Sequence, residues 1–173
     1  GLSVGVITFY AAQRDLIMET LAKTEVNGIP LMIKTGEGYQ PHDAFKNAFK
    51  LSKDGSMSSE EGLRVGSVDA FQGKEFDVVF LSCVRTWHAP RVNKVDQKKQ
   101  PTEGNADSHE TRLNELFGFL RLPNRMNVAM SRQRQMLICV GDAQLATNEF
   151  AEEGIPALNA LYQLCGGEHG SIR

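Results

Sequence analysis

Apolar runs alternate with polar segments along the chain, and their spacing predicts strands and helices in turn. Residues 2–8, 65–69, 78–84 and 136–140 are short runs rich in Val, Ile and Leu, which is typical of β-strands. Two of these runs, 78–84 and 136–140, are almost continuously apolar, as in strands buried on both faces of a parallel sheet. The pattern therefore predicts an α/β domain built on a parallel sheet.

The helical segments follow from a different spacing. Residues 11–23 carry apolar side chains one helical turn apart, which predicts a helix that ends before the turn residues 27–30. Another helix is predicted to lead into the strand at 136–140, and a closing helix follows Pro156 and ends at Gly166. One face of each helix is apolar enough to pack against a sheet.

Two segments fit this scheme poorly. Within residues 31–64, the stretch 43–51 has helical spacing, whereas 52–62 is polar and is predicted to be loose. Residues 87–117 have little apolar content and are predicted to form a flexible loop or insertion. The basic residues of that insertion leave open a second interpretation, in which it forms a lid over nucleic acid.

Length, charge and cysteine usage narrow the class of protein. A chain of 173 residues predicts a single domain. With 19 basic and 21 acidic residues, any contact with nucleic acid is expected in a local groove and not over a basic face. Three cysteines argue against a disulfide framework and favour an intracellular, cytoplasmic protein. No run of membrane-spanning length is visible, so no membrane partner is expected.

Three motifs carry the candidate chemistry. Residues 5–14 read GVITFYAAQR, residues 67–77 read SVDAFQGKEFD and residues 125–132 read RMNVAMSR. In this order they resemble motifs IV, V and VI of the superfamily 1B helicases, the group typified by the RNA helicase of nonsense-mediated decay. The chain departs from the family pattern at Phe9, where the family usually has Pro, and at Gln133, where it has Ala.

The resemblance implies a fold and a position within a larger enzyme. The fold is a RecA-like parallel sheet with helices on both faces, equivalent to the second motor domain of such a helicase. The chain has no G-x-x-x-x-G-K-[ST] phosphate loop of its own and no apolar run that ends in Asp-Glu. ATP and Mg²⁺ would therefore be shared with an N-terminal RecA-like domain of a longer chain, and residues 1–173 alone are expected to be inactive.

The resemblance also assigns residues to the nucleotide. Arg132 occupies the position of the family's arginine finger, and Arg14 would help it to complete the γ-phosphate site. Arginine suits this role because its planar fork binds two oxygens and stays charged. Four further residues would border the nucleotide: Gln13, Gln72, Gly73 and Glu75.

A single strand of DNA or RNA is the second implied ligand. Thr8, Ser67 and Asp69 would line its path, where a hydroxyl or a main-chain N–H can bind a phosphate without reading base sequence. Since Ser67 and Glu75 belong to one short segment, that segment would touch both ligands. This segment could therefore couple the state of the bound nucleotide to the affinity for the single strand.

Other interpretations remain open at the level of sequence. The chain could be a non-catalytic module that binds nucleic acid or protein and derives from a helicase, or a free-standing nucleotide-binding α/β protein. Arg14 alone would be taken for a surface residue, and Arg134 for a cation at a helix end. The histidines are scattered without metal-ligand spacing, so no metal site is predicted.

Overall fold

A computed structural model describes residues 1–52, 54–87, 106–168 and 170–173, without the side chains of residues 106–108. The strands in this part of the chain are β1 (Val4–Thr8), β2 (Glu25–Val26), β3 (Ile29–Pro30), β4 (Met32–Thr35), β5 (Gly38–Pro41), β6 (Asn47–Leu51), β7 (Met57–Glu61), β8 (Leu63–Ser67), β9 (Phe76–Ser82) and β10 (Gln133–Val140). The helices are α1 (Ala11–Ala22), α2 (Asp43–Lys46), α3 (Ala106–Phe117), α4 (Pro123–Ala129), α5 (Ala143–Thr147), α6 (Ala151–Gly154) and α7 (Pro156–Cys165).

The chain divides into two compact units, where the sequence predicts one domain. The first unit comprises Gly1–Val84 and Asn127–Val140, and the second comprises Arg85–Met126 and Gly141–Arg173. The first unit contains the main sheet and all of the candidate site residues.

The main sheet has four parallel strands in the order β10-β9-β1-β8. Thr8 pairs with Ser67 on one side and with Ser82 on the other, so three strands end together at what we call the carboxyl edge. At the opposite, amino edge, Gln133 of β10 pairs with Phe76 of β9. The prediction of a parallel, RecA-like α/β fold is confirmed.

One face of the sheet is sealed by aromatic side chains. Ile7, Val79 and Leu81 are fully buried. A Cβ atom at Gly5 would lie 2.7 Å from the ring of Phe71 and 3.1 Å from that of Phe76. Glycine at this position therefore lets the two rings, whose centroids are 5.4 Å apart, pack directly on β1.

The other face of the sheet carries α1. Its apolar side chains, which include Ile17 and Leu21, pack against a buried cluster of Met32, Leu63 and Val65. The one-turn spacing within residues 11–23 is thus explained by burial against β8 and β4.

The segment 31–64 forms hairpins, and the prediction for it is wrong in two places. The predicted helix at 43–51 ends at Lys46, and Asn47–Leu51 is instead a strand paired antiparallel with Met57–Glu61. The stretch 52–62, predicted to be loose, supplies that partner strand. A short apolar run fits the spacing of an α-helix and that of a β-strand equally well. Here the hydrogen bonds to a neighbouring strand stabilise the β-strand.

The second unit corrects the prediction of a loop over residues 87–117. Residues 106–117 form the helix α3, in which Leu113 and Phe117 are fully buried one turn apart. A Cβ atom at Gly154 would lie 2.3 Å from the Phe117 ring, so this glycine makes room for it. The burial of Leu113 and Phe117 on one side of the segment stabilises a helix there, although the segment is mostly polar. The predicted flexibility of residues 88–105 concerns positions outside the described residues.

The closing helix is confirmed as Pro156–Cys165, with Pro in its first turn as expected. Observed strand boundaries differ from the predicted ones by up to three residues; β8, for example, spans Leu63–Ser67. Over the described parts of the chain, we find no helix with the length and apolar character needed to span a bilayer.

Candidate nucleotide and nucleic-acid site

Three predicted residues gather at the carboxyl edge of the sheet. Thr8 ends β1 and Ser67 ends β8, and the two are direct neighbours in the parallel register. Asp69 follows in the 3₁₀ turn after β8 and is exposed. Open parallel sheets bind ligands at this edge, so Ser67 and Asp69 lie where a phosphate backbone can reach them.

Thr8 differs from its two neighbours because it is fully buried. Its Oγ1 atom lies 3.5 Å from the main-chain nitrogen of Tyr10, the residue that precedes α1. In this structure Thr8 shapes the loop that leads into the helix, and its hydroxyl is not presented to a ligand.

Arg14 lies in the first turn of α1, just beyond the carboxyl end of β1. Its main-chain N–H donates to the Tyr10 carbonyl at 3.1 Å, and its guanidinium contacts the Asp15 carboxylate at 2.7 Å. An ion pair of this kind, with both side chains partly in solvent, contributes little to stability. The guanidinium can therefore exchange Asp15 for a phosphate at small cost.

Gln13 points elsewhere, towards the sheet. It lines a groove of about 790 Å³ whose other walls are mostly apolar, with Ile17, Phe80 and Val140 among them. Gln13 and Ser82 contribute polar groups to this groove. Gln13 and Arg14, adjacent in the motif, thus face different surroundings.

Residues 68–75 cross from the carboxyl end of β8 to the amino end of β9. Phe71 to Lys74 form a tight turn, closed by the Lys74 N–H, which donates to the Phe71 carbonyl at 3.1 Å. Gln72 has φ −61° and ψ 125°, and Gly73 has φ +73°, which are the angles of a type II turn. Gly73 thus adopts a backbone conformation that other residues rarely adopt, and Gln72 is exposed at the tip of the turn.

Glu75 and Arg132 come together at the amino edge. The main-chain N–H of Phe76 donates to the Arg132 carbonyl at 2.9 Å, and the Glu75 carbonyl accepts from Arg134 Nη2 at 3.1 Å. The Glu75 side chain is exposed beside this junction. Arg14, which follows the opposite end of the strands, does not lie beside Arg132.

The guanidinium of Arg132 is held by neutral acceptors. Its Nε donates to the Val128 carbonyl at 3.0 Å, and its Nη2 donates to Ser131 Oγ at 2.8 Å. These contacts orient the fork without neutralising its charge. The arrangement suits the binding of an anion.

An ion cluster around the buried Asp77, at the amino edge, was not predicted from the sequence. Lys50 of β6 contacts both Asp77 and Glu60 at 2.7 Å, and Arg134 of β10 contacts Glu60 at 2.8 Å. Asp77 also accepts from the N–H and the hydroxyl of Ser3, at 2.9 and 3.0 Å. Because the β6–β7 hairpin was not predicted, nothing in the sequence indicated that Lys50 and Glu60 would lie in one cluster with Asp77.

The cluster shifts the pKa values of its members. Burial would raise the pKa of Asp77, but the hydrogen bonds from Lys50 and Ser3 and the nearby Arg134 guanidinium outweigh it and hold the pKa well below its usual range. The pKa of Glu60 is lowered in the same way, with Lys50 and Arg134 outweighing burial. The pKa of Arg134 is raised, chiefly by its hydrogen bond to Glu60. All three groups are therefore charged at neutral pH.

Comparison with known proteins places this arrangement in a class. A RecA-like parallel sheet with these three motif segments is a superfamily 1B helicase-like domain. Residues 2–144 match the family AAA_12, described as an AAA domain, and the chain belongs to this family.

Curated relatives share the same stretch. The chain is 33% identical over 144 residues to the putative ATP-dependent RNA helicase ECM32 of Saccharomyces cerevisiae, covering 80% of this chain and 10% of that protein. It is 30% identical over 146 residues to the ATP-dependent helicase NAM7 of the same yeast, covering 84% and 10%. It is 29% identical over 127 residues to regulator of nonsense transcripts 1 of Dictyostelium discoideum, covering 72% and 8%. The chain thus spans a tenth or less of the length of these relatives.

Proposed function

We propose that this chain is the second motor domain of an ATP-dependent superfamily 1 helicase or translocase that moves on single-stranded DNA or RNA. In this proposal it completes an ATP site together with a first RecA-like domain that carries the phosphate loop. The relatives named as ATP-dependent helicases support it, as does the family to which the chain belongs. We place its action inside the cell, which agrees with three free cysteines.

The observation that carries the proposal is the meeting of Glu75 and Arg132 at the amino edge. Transfer of a phosphoryl group spreads negative charge over its oxygens, and a positioned guanidinium stabilises that charge. Arg132 is oriented by two neutral acceptors, so its charge is available. The exposed Glu75, whose neighbour Phe76 is hydrogen-bonded to Arg132 through the main chain, can accept from a ribose hydroxyl or from a metal-bound water.

The residues present suit a triphosphate but supply only part of a site. Arg132 would hold the γ-phosphate, while Gln72, Gly73 and Glu75 would border the nucleotide. Among the described residues, no group of three or more His, Cys, Asp or Glu side chains could hold a metal ion. Mg²⁺ would therefore be held mainly by the first domain, with ATP between the two.

The strand would run along the carboxyl edge. Ser67 and Asp69 lie there, and Arg14 is close to the same edge at the start of α1. The Ser67 hydroxyl, main-chain N–H groups and the Arg14 guanidinium would contact phosphates, so binding should weaken with salt and depend little on base sequence. Thr8 would contribute by shaping the loop before α1, since its side chain is buried.

The crossover 68–75 provides the link between the two ligands. It begins beside Ser67 at the carboxyl edge and ends with Glu75 beside Arg132. A change at the nucleotide that moves Glu75 would thus be transmitted to Asp69 through a segment with a fixed turn at its centre. Gln13 and Arg14 would respond through α1, which packs on the β1 and β8 strands.

A two-component ATPase assay tests the proposal. A polypeptide that joins this chain to the phosphate-loop domain should hydrolyse ATP, and single-stranded nucleic acid should stimulate it. The unjoined chain and the joined protein with Lys of the phosphate loop replaced by Ala serve as controls. If the joined, folded protein binds single strands but shows no turnover, the chain is a non-catalytic binding module. Tight ATP binding by the chain alone would instead favour a free-standing nucleotide-binding protein.

A further inference from the structure

Arg134 connects the ion cluster to the proposed nucleotide site. Its Nη2 atom lies 2.8 Å from both carboxylate oxygens of Glu60, 3.2 Å from Ser3 Oγ and 3.1 Å from the main-chain carbonyl of Glu75. Its Nε lies 3.6 Å from Asp77. The side chain is thus fixed by groups from several elements while it touches the backbone of a proposed ligand-binding residue.

An irregularity in β10 aims this side chain. The register between β10 and β9 shifts between Gln133 and Met136, which places Arg134 and Gln135 in a bulge. Consecutive strand residues normally point to opposite faces. Here both reach the same carboxylate, since Gln135 Nε2 also contacts Asp77 at 3.2 Å. Bulges commonly redirect side chains near functional sites, and this one turns Arg134 towards Glu75.

The peptide between Glu75 and Phe76 is consequently held at both ends. Arg134 binds its carbonyl, and the Arg132 carbonyl accepts from its N–H. If Arg134 were lost, the carbonyl of this peptide would lose that hydrogen bond, and the backbone dihedrals of Glu75 would be less constrained.

We propose that Arg134 is a positioning residue, which fixes Glu75 relative to Arg132 through the Glu75 carbonyl while Glu60 and Asp77 anchor its guanidinium. This inference rests on the proposed function of Arg132 and Glu75. Displacement of a site residue by about 1 Å is enough to lower a rate roughly 100-fold. Arg134 would therefore affect turnover without touching a ligand.

Lys50 provides a matched control. It belongs to the same cluster and contacts the same two carboxylates, Glu60 and Asp77, at 2.7 Å. In the described part of the chain, Lys50 forms no hydrogen bond or ion pair with residues 75–76 or with Arg132, whereas Arg134 binds the Glu75 carbonyl. If the cluster only stabilises the fold, Arg134 and Lys50 variants should behave alike.

The test compares Arg134→Gln, Arg134→Lys and Lys50→Met in the joined, ATP-hydrolysing protein. We expect Arg134→Gln to lower kcat roughly 10- to 100-fold at saturating ATP, with little change in KM. Arg134→Lys should restore only part of the lost kcat, because an ammonium group lacks the guanidinium fork. Lys50→Met should lower the melting temperature but keep kcat within about threefold of wild type, as expected for a structural contact.

A double variant separates this inference from the proposed function. In an Arg132→Ala background, Arg134→Gln should cause little further loss of kcat, because the guanidinium relative to which Glu75 is positioned is already absent. Failure of Arg132→Ala to lower kcat would overturn the proposed function itself. A large effect of Arg132→Ala together with a wild-type kcat for folded Arg134→Gln would overturn only the positioning role. Glu60→Gln, which keeps the shape of the anchor, replaces Arg134→Gln if that variant does not fold.

Discussion

The main-chain N–H of Phe76, in β9, donates to the carbonyl of Arg132, the residue just before β10, at 2.9 Å. This bond sets Glu75 beside Arg132, although the whole segment 76–131 separates them in the sequence. One residue comes from the motif at 67–77 and the other from the motif at 125–132. The parallel pairing of two strands thus assembles the pair on which the proposed nucleotide site depends.

Gly73 should be sensitive to substitution for a reason confined to its backbone. Gly73→Ala introduces a Cβ atom that meets no neighbour within 4 Å but must adopt φ +73°. We expect it to lower the free energy of unfolding by about 1 kcal/mol, as measured by urea denaturation. Gly36→Ala is the control, because Gly36 is equally open without a positive φ. Equal stability of the two variants would contradict the turn geometry.

Asp77 should make stability depend on pH in the acid range. Its pKa is lowered from an ordinary value of 3.8, so its stabilisation is complete above about 3.8 and is lost as the pH falls through the lower folded value. Asp77→Asn should therefore reduce stability at pH 7, by about 3–5 kcal/mol for a broken buried ion pair, and flatten the decline below pH 4. Denaturation curves between pH 2 and 7 measure this.

Glu19→Gln is the comparison for Asp77→Asn, since Glu19 forms an exposed pair with Lys23. It should shift the stability curve very little. Parallel curves for wild type and Asp77→Asn over the acid range would show that Asp77 is not the group responsible.

The chain alone should hydrolyse no ATP above background. The sequence has no phosphate-loop pattern. Its proposed nucleotide-binding residues would form only one side of the cleft that holds ATP. A pure sample in Mg²⁺ and ATP, with and without single-stranded nucleic acid, provides the measurement. Magnesium-dependent turnover that persists through purification would contradict the proposal that this chain supplies only part of the ATP site.

Arg14 and Arg132 should be separable, because they lie at opposite ends of the strands. Arg14→Ala in the joined protein removes an exposed contact with Asp15 and should leave the melting temperature unchanged. If Arg14 serves the strand at the carboxyl edge, the variant should weaken nucleic-acid binding and reduce its salt dependence. If it reaches the γ-phosphate as the family resemblance implies, kcat should fall instead while strand affinity is retained. No change in either quantity would remove Arg14 from both sites.

Much of the fold was predictable because burial leaves a strong pattern. The continuous apolar runs that became β9 and β10 identified a parallel sheet, and the one-turn spacing in α1 identified the helix that packs on it. These are local signals, and each was satisfied by the final packing.

The errors arose where distant partners decided the structure. Asn47–Leu51 became a strand because Met57–Glu61 lies beside it, and residues 106–117 became a helix although their composition is polar. Placing Lys50 and Glu60 against Asp77 required both the hairpin and the sheet order. The contact of Arg134 with Glu75 depended on a bulge, which no pattern of apolar residues reveals.

Measurements of kcat and melting temperature on one variant, Arg132→Ala in the joined protein, decide whether Arg132 acts on ATP or only supports the fold. The substitution removes hydrogen bonds to Val128 and Ser131, which contribute about 1 kcal/mol, so the melting temperature should fall by only a few degrees. Loss of an arginine finger should lower kcat by roughly 10³–10⁵, and Arg132→Lys should not restore it. A wild-type kcat combined with a strongly lowered melting temperature would show that Arg132 supports the fold and does not act on ATP.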